Sequence, residues 1–267
     1  MALTLDGCRA LVTGASGGIG QAIARELHAR GATVVLTSRR AEMLARLHDE
    51  LGERAEVLPA DLTDAGEVTA LAGAAAEVDL LVANAALPAS GPFLDFEPGE
   101  IDRALDVNLR APMQLARALA PGMIDRGRGH LVFIASIAGK VASPGSSLYS
   151  GTKFGMRGFA FGLREDLLGT GVGVTTVLPG FIREAGMFHD AGVELPPWVG
   201  TRSPEQVAAA VVKGVESGRA EIDVAPLTVR AGGWIGGIAP AALAGLQRRL
   251  GGEKISREMG EGQRDKR

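Results

Sequence analysis

The chain has a single cysteine, Cys8, and a single tyrosine, Tyr149. One cysteine excludes an intramolecular disulfide framework and a cysteine-rich zinc site, and Cys8 reads most simply as a small buried apolar residue. Aromatic side chains make up only 4% of the sequence, so a core must be built from Ala, Val, Leu and Ile. Positive charge is not in excess: 28 Lys and Arg stand against 31 Asp and Glu, a net −3, which leaves no basic footprint for a nucleic acid. No stretch approaches the ~18 consecutive apolar residues of a membrane span. The opening MALTLDGCRA lacks the basic start and apolar run of a secretion signal. The expectation is a soluble, cytoplasmic protein with no integral membrane segment. His189 has no Cys, Asp or Glu set at metal spacing beyond Asp190, so no metal is expected.

Glycine, by contrast, is abundant at 38 residues without a collagen-like period, which points to tight turns and close backbone approaches. Short β-branched runs alternate with longer segments of helical period. RALVTG (9–14), TVVLTS (33–38), AEVLPAD (55–61), DLLVANA (79–85), HLVFIAS (130–136), GVTTVLP (173–179) and AEIDVAP (220–226) read as strands. Their nearly continuous apolar character suits strands buried on both faces. Seven strands alternating with helices predict an open parallel sheet with helices on both sides. The alternation weakens over 181–202, a Pro- and Gly-punctuated stretch long enough for a functional loop. It weakens again after 226, where a Gly-rich apolar stretch leads into EKISREMGEGQRDKR, most simply a solvated, partly disordered end.

The first strand runs directly into TGASGGIG (13–20), which opens a helix. That order of strand, glycine turn and helix is the context a dinucleotide site requires. Gly14, Gly18 and Gly20, with Ser16 and Ile19 between them, would let a pyrophosphate approach the backbone at a helix N-terminus. At the end of the second strand an acid would hold a ribose 2′-hydroxyl and an arginine a 2′-phosphate. The sequence offers Ser38 followed by Arg39 and Arg40. A bidentate guanidinium in place of a carboxylate favours NADP(H) over NAD(H), with Arg39 the better candidate and Arg40 more suited to a solvated helix cap. Asp61, with Leu62 after it, ends the third strand and would meet the adenine amino group or cap the next helix.

Tyr149 and Lys153 are four residues apart, hence on one helical face. A free phenol has a pKa of about 10, and a neighbouring ammonium is expected to lower it toward a useful range. Ser136 ends the fifth strand in FIASIAG, at the sheet edge where open α/β folds bind ligands.

With the TGxxxGIG turn, this Ser–Tyr–Lys set resembles the short-chain dehydrogenase/reductase family over roughly residues 5–226. The resemblance implies an α/β Rossmann-like fold, a doubly wound three-layer sandwich with a seven-stranded parallel sheet. It implies a Rossmann-like domain over 1–230 that includes the substrate loop 181–202, with 231–267 a C-terminal extension of the same domain. It also implies hydride transfer between a nicotinamide and a carbonyl or alcohol. Tyr149 would protonate the carbonyl oxygen, Ser136 would orient it, and Lys153 would hold the nicotinamide ribose. Asn108, which alone would read as an exposed polar residue, would complete a proton relay through the lysine and water. Asn84 and Ala85 would lie beside the adenine ribose, and Pro179, Gly180 and the backbone of Ile182 beside the nicotinamide. Two positions depart from the pattern: Ala86 replaces a usual glycine, and Glu184 stands where a threonine often contacts the carboxamide.

The substrate expected is a small-molecule ketone, aldehyde or alcohol, apolar or bulky, with Met187, Phe188 and Trp198 as loop walls or as anchors packing the loop. A 3-ketoacyl-thioester reductase and a non-catalytic NADP(H) sensor are the alternatives. The 231–250 segment would cover the cleft, meet a partner subunit or, least favoured, lie at a membrane surface. By resemblance a homodimer or homotetramer is expected.

Overall fold

The computed structural model describes residues 2–193, 199–239, 241, 243, 245 and 252–264. Seven strands form one parallel sheet: β1 (Arg9–Thr13), β2 (Thr33–Thr37), β3 (Ala55–Val57), β4 (Leu80–Ala83), β5 (Gly129–Ile134), β6 (Val172–Pro179) and β7 (Glu221–Val224). Their spatial order is β3-β2-β1-β4-β5-β6-β7. All seven expected strands are present; β3 is a regular strand over three residues of the seven assigned to it, while Leu58 and Ala60 beyond it still donate to Leu36 O of β2 and to Ser38 O just after it.

Side chains alternate between the two faces as the pleat requires. Ala10 and Val12 of β1 join a cluster with Ile23 and Leu27 of α1 (Gly18–Ala29) and Val207, Val211 and Val215 of α8 (Pro204–Ser217). Leu11 turns the other way, toward Leu71 of α3 (Ala65–Ala74), Leu115 and Leu119 of α5 (Ala111–Asp125) and Met156 of α6 (Ser147–Asp166). The result is the three-layer, doubly wound sandwich. Each buried Leu, Ile or Val side chain contributes roughly 1.5–3 kcal/mol. Helix α2 (Ala41–Leu51) adds Leu44 and Leu47 to the first cluster. Ser203 begins α8 with a capping box, its hydroxyl taking the Gln206 N–H while the Gln206 amide takes the Ser203 N–H.

Three details position the site. Strand order reverses between β1 and β4, so the C-terminal ends of these strands open a crevice. There the Thr13 hydroxyl accepts the N–H groups of Asn84 and Ala85 at 2.9 and 3.0 Å, tying the two strand ends together. Between α4 (Pro98–Leu105) and α5 the helix widens into a π-type turn, Asp106–Arg110, a feature frequent at functional sites. Beyond β6 a short helix, α7 (Gly186–Asp190), precedes α8, and α9 (Leu227–Ile238) follows β7.

Over 252–263 the charged stretch is not a loose tail. Residues Gly252–Gln263 form a helix, α10, that lies against α7. Gln263, in a stretch read as solvated, is 1% exposed and donates its amide N–H to the Met187 carbonyl at 3.1 Å.

Candidate active site

The glycine turn is tight for a steric reason. A Cβ on Gly20 would lie 2.3 Å from the Gly14 carbonyl oxygen, so no side chain fits where α1 leaves the turn. The Ncap residue Gly17 supplies no side-chain cap, and the first turn of α1 has no acidic residue. The first N–H groups of α1 therefore face outward with the positive end of the helix dipole, which suits a pyrophosphate.

At the end of β2 the two arginines go to different partners. Arg39 pairs with Asp61 at 3.8 Å, and Arg40 donates from Nε to the Ser16 hydroxyl of the glycine turn at 3.1 Å. Arg40 is the exposed cap residue of α2, as read from the sequence, and its side chain in addition reaches back to the glycine turn. Ser38 accepts the Arg40 N–H instead of contacting the turn itself. Asp61 does not cap α3, a role taken by Asp64. Its carboxylate instead accepts from Thr63 N–H and Oγ1. Burial raises the Asp61 pKa, but the Thr63 hydrogen bonds and the Arg39 charge outweigh it, and the net shift is downward. Leu62 beside it is buried, and Asn84 donates to the Thr13 carbonyl at 2.9 Å.

At the other end of the crevice, Ser136, Tyr149 and Lys153 line one cleft of about 550 Å³, together with Asn84, Ala86, Pro179, Gly180 and Ile182. Ser136 follows β5 and caps the turn Ile137–Gly139 by accepting the Ala138 N–H. Helix α6 carries Tyr149 and Lys153, anchored where the Tyr149 N–H donates to Ala89 O. Lys153 Nζ donates to the Ile134 carbonyl at 3.1 Å and sits 5.6 Å from the centre of the Tyr149 ring.

The expected depression of the tyrosine pKa is not what the site does. Burial pushes the Tyr149 phenol up to about 12, against a hydrogen bond with Ser136 that pulls it down. Burial brings Lys153 down to about 8. The reason is desolvation in an apolar cleft: spacing along a helix sets who is adjacent, whereas dielectric decides which charge state is cheap.

Asn108 sits in the π-type turn and is 1% exposed, not the surface residue its helical context suggests. Its carbonyl oxygen accepts the Leu87 N–H at 2.6 Å and its amide donates to Leu87 O at 3.0 Å. Both ends of the amide thus hold the loop after β4.

The rest of the cleft is apolar. Met187 and Phe188 line it as expected, with Val141, Val229, Ile235 and Leu243. The Phe188 ring stacks edge-on against Phe181 at 5.1 Å between centroids, so it serves as wall and anchor together. Trp198 lies outside the described residues. Glu184 adopts φ +69° and pairs with Arg183 at the surface, a left-handed conformation that a side chain occupies at some cost. The cleft also draws on residues the sequence did not point to: Thr13 behind it, Ser90 on its rim, and Met259 and Gln263 from α10.

A parallel sheet with a glycine turn at its switch point, and a Ser–Tyr–Lys cluster beside it, defines a nucleotide-dependent oxidoreductase. The family model for short chain dehydrogenases matches residues 9–194, and the chain belongs to that family of dehydrogenases and reductases, whose enzymes use NAD(P)(H). It is 37% identical over 228 residues to the ketoacyl reductase HetN of Nostoc sp., covering 83% of this chain and 79% of that one. It is 44% identical over 186 residues to nodulation protein G of Rhizobium sp., covering 68% and 76%. Among solved structures, a short-chain dehydrogenase from Sphingobium yanoikuyae in complex with NADPH superposes with a TM-score of 0.75. That pair is 31% identical, over 91% of this chain and 94% of the other.

Proposed function

We propose that the protein is an NADPH-dependent reductase of bulky, largely apolar ketones or aldehydes, able to run in reverse on the alcohols. The observation that carries this reading is one cleft, in which Ser136, Tyr149 and Lys153 face apolar walls beside the glycine turn. Gly14, Ser16, Gly18, Ile19 and Gly20 would hold the pyrophosphate. Arg39, beside Asp61, and Arg40, bonded to Ser16 of the turn, would take the 2′-phosphate, with Ser38 beside them. Asp61 and Leu62 would flank the adenine, Asn84 and Ala85 its ribose, and Pro179, Gly180 and Ile182 the nicotinamide. The Sphingobium relative, solved with NADPH, supports the same preference.

Bound there, the cofactor supplies the hydride that reaches the carbonyl carbon. The chain supplies the proton. Tyr149 keeps its proton to about pH 12, so at neutral pH it is a hydrogen-bond donor and acid aimed at a carbonyl oxygen. Ser136 donates to the same oxygen and fixes its position. Lys153, lowered to about 8, holds the nicotinamide ribose and exchanges its proton near physiological pH. Asn108 positions the loop that carries Asn84 through Leu87, and it stands where the family resemblance implies a relay to Lys153. Phe154 and Phe161, seven residues apart on α6, are exposed, which supports pairing of this helix between copies in a homodimer or homotetramer.

The test is NADPH oxidation by the purified protein against a panel of aryl, alicyclic and long-chain ketones and aldehydes. The expected result is turnover that rises with apolar bulk and is faster with NADPH than with NADH. Cofactor binding with no turnover of any carbonyl would instead support a nucleotide sensor. The name of the Nostoc relative favours a second reading, a 3-ketoacyl-thioester reductase, so acetoacetyl thioesters belong in the panel. Turnover confined to them would replace the first reading with the second.

A further inference from the structure

Ser136 is placed by more than the strand it follows. The Ala135 N–H donates to Val177 O at 2.9 Å, which fixes the chain as it leaves β5. The turn Ile137–Gly139 then closes on its own backbone, with Gly139 N–H on Ser136 O and Lys140 N–H on Ile137 O, both at 2.8 Å. These two bonds keep the shape of the turn, whereas its place depends on what grips it from outside. Part of that grip is α6: a Cβ on Gly139 would lie 2.7 Å from the Lys153 carbonyl oxygen. The rest comes from Lys140, which ends the turn and buries its side chain against β7. Its Nζ stands 2.6 Å from both Glu221 Oε1 and Asp223 Oδ1.

Glu221 and Asp223 are two residues apart on one strand, so they share a face of the sheet. Arg157 of α6 also reaches Glu221, its Nε 2.5 Å from Oε2. Tyr149, Lys153 and Arg157 follow one another at four-residue spacing, so this arginine extends the stripe of α6 that carries the catalytic pair. Arg230 of α9 stands 3.9 Å from Asp223 Oδ2, and its neighbour Val229 lines the cleft. One ion network therefore joins the turn that begins at Ser136, the helix that bears Tyr149 and Lys153, and a wall of the cleft. An ammonium buried between two carboxylates resists displacement, because moving it strands charge away from water.

We propose that Lys140 is a positioning residue for the reaction: its ion pairs with Glu221 and Asp223 hold the Ser136 turn at the distance from α6 that lets the Ser136 and Tyr149 hydroxyls meet one carbonyl oxygen. The inference rests on the carbonyl-reductase reading and concerns how that site is held. Lys140 lies outside the cleft lining formed by the described residues, so its effect on the chemical step passes through Ser136. A misplacement of about 1 Å at a reacting group can cost about 10²-fold in rate, which separates this role from the contribution of the same pairs to folding.

The test is a double-mutant cycle in the full-length protein, with NADPH and the best ketone of the panel: wild type, Ser136→Ala, Lys140→Met and the two combined. Circular dichroism gives the folded fraction to which each kcat is referred, and single-turnover NADPH oxidation keeps the slow variants measurable. Lys140→Met alone should lower kcat by roughly 10- to 100-fold, with the KM for NADPH close to that of the wild type. In the Ser136→Ala background the same substitution should cost less than about threefold, since groups that act as a unit are strongly non-additive. Equal losses in the two backgrounds are what a general loosening produces, and they overturn the inference. An unchanged kcat in Lys140→Met, or in Ser136→Ala, overturns it as well. If Lys140→Met does not fold, Asp223→Asn, which leaves Lys140 its pair with Glu221, goes through the same cycle. Its expected loss is roughly 3- to 10-fold and is confined to enzyme that retains Ser136; equal losses, or none, overturn the inference. Each of these results leaves the reductase reading standing. Absence of turnover by the wild type on the whole carbonyl panel removes that reading and the inference with it.

Discussion

Lys153 places its ammonium 5.6 Å from the centre of the Tyr149 ring while donating to the carbonyl of Ile134. The two side chains share a helical face, yet the lysine is held by the end of β5. That tether fixes the distance between α6 and the sheet edge, and the Tyr149 hydroxyl and Ser136 face the same cleft. Both groups are desolvated, which favours a neutral phenol and weakens the lysine's hold on its proton. The proposed role of such a pair is proton donation.

The proposed NADP(H) preference rests on two arginines. Charge-assisted bonds to a phosphate are each worth about 1.5–3 kcal/mol. Arg39→Asp, and separately Arg40→Ala, should therefore lower the ratio of kcat/KM for NADPH over NADH by roughly 10- to 100-fold, and the double variant by more. A ratio that does not move in Arg40→Ala would exclude that residue from the phosphate site.

Lys140 is predicted to be structural and costly to lose. Its Nζ lies 2.6 Å from both Glu221 Oε1 and Asp223 Oδ1, and the side chain is 8% exposed. Arg157 also meets Glu221, while Arg230 stands 3.9 Å from Asp223. Lys140→Met leaves two carboxylates on edge strand β7 short of a cation, at a cost of roughly 3–5 kcal/mol. Urea denaturation reads this directly. A loss below about 1 kcal/mol would mean that the remaining arginines and water suffice.

Acid stability should depend on His130. The Thr175 hydroxyl donates to Arg219 O, so it accepts from His130 Nε2, leaving Nδ1 unpaired against Gly173. Burial, with the charge of Arg164, lowers the His130 pKa to about 3. Below pH ~6.5 the unfolded chain binds a proton that the folded chain refuses, so stability falls with pH between about 6.5 and 3, by up to ~1.4 kcal/mol per unit. Gln in place of His130 removes this titration. Denaturant midpoints at pH 7.5, 6 and 5 should decline less steeply in the variant, and parallel declines would refute the assignment.

The strands, the doubly wound order of elements and the Ser136–Tyr149–Lys153 cluster were legible because each rests on local pattern. β-branched runs mark buried strands, and the glycine turn stands directly between a strand and a helix. What was not legible depends on packing. Arg40 sits next to Arg39, and only the path of the chain at the start of α2 turns its guanidinium to Ser16. The charged stretch at 252–263 has only a thin apolar stripe, Ile255 and Met259 four residues apart, and the close backbone approaches at Gly260 and Gly262 that help seat it are not registered by periodicity. The Tyr149 pKa followed burial, which neighbours along the helix do not reveal.

The central claim is that Tyr149 delivers the proton. Tyr149→Phe removes one oxygen atom and keeps the ring. With NADPH and the best ketone of the panel, its kcat should fall by roughly 10²–10⁴-fold, while NADPH binding, followed by nicotinamide fluorescence, stays close to wild type. A variant that binds NADPH normally and turns over within tenfold of the wild type would contradict the account.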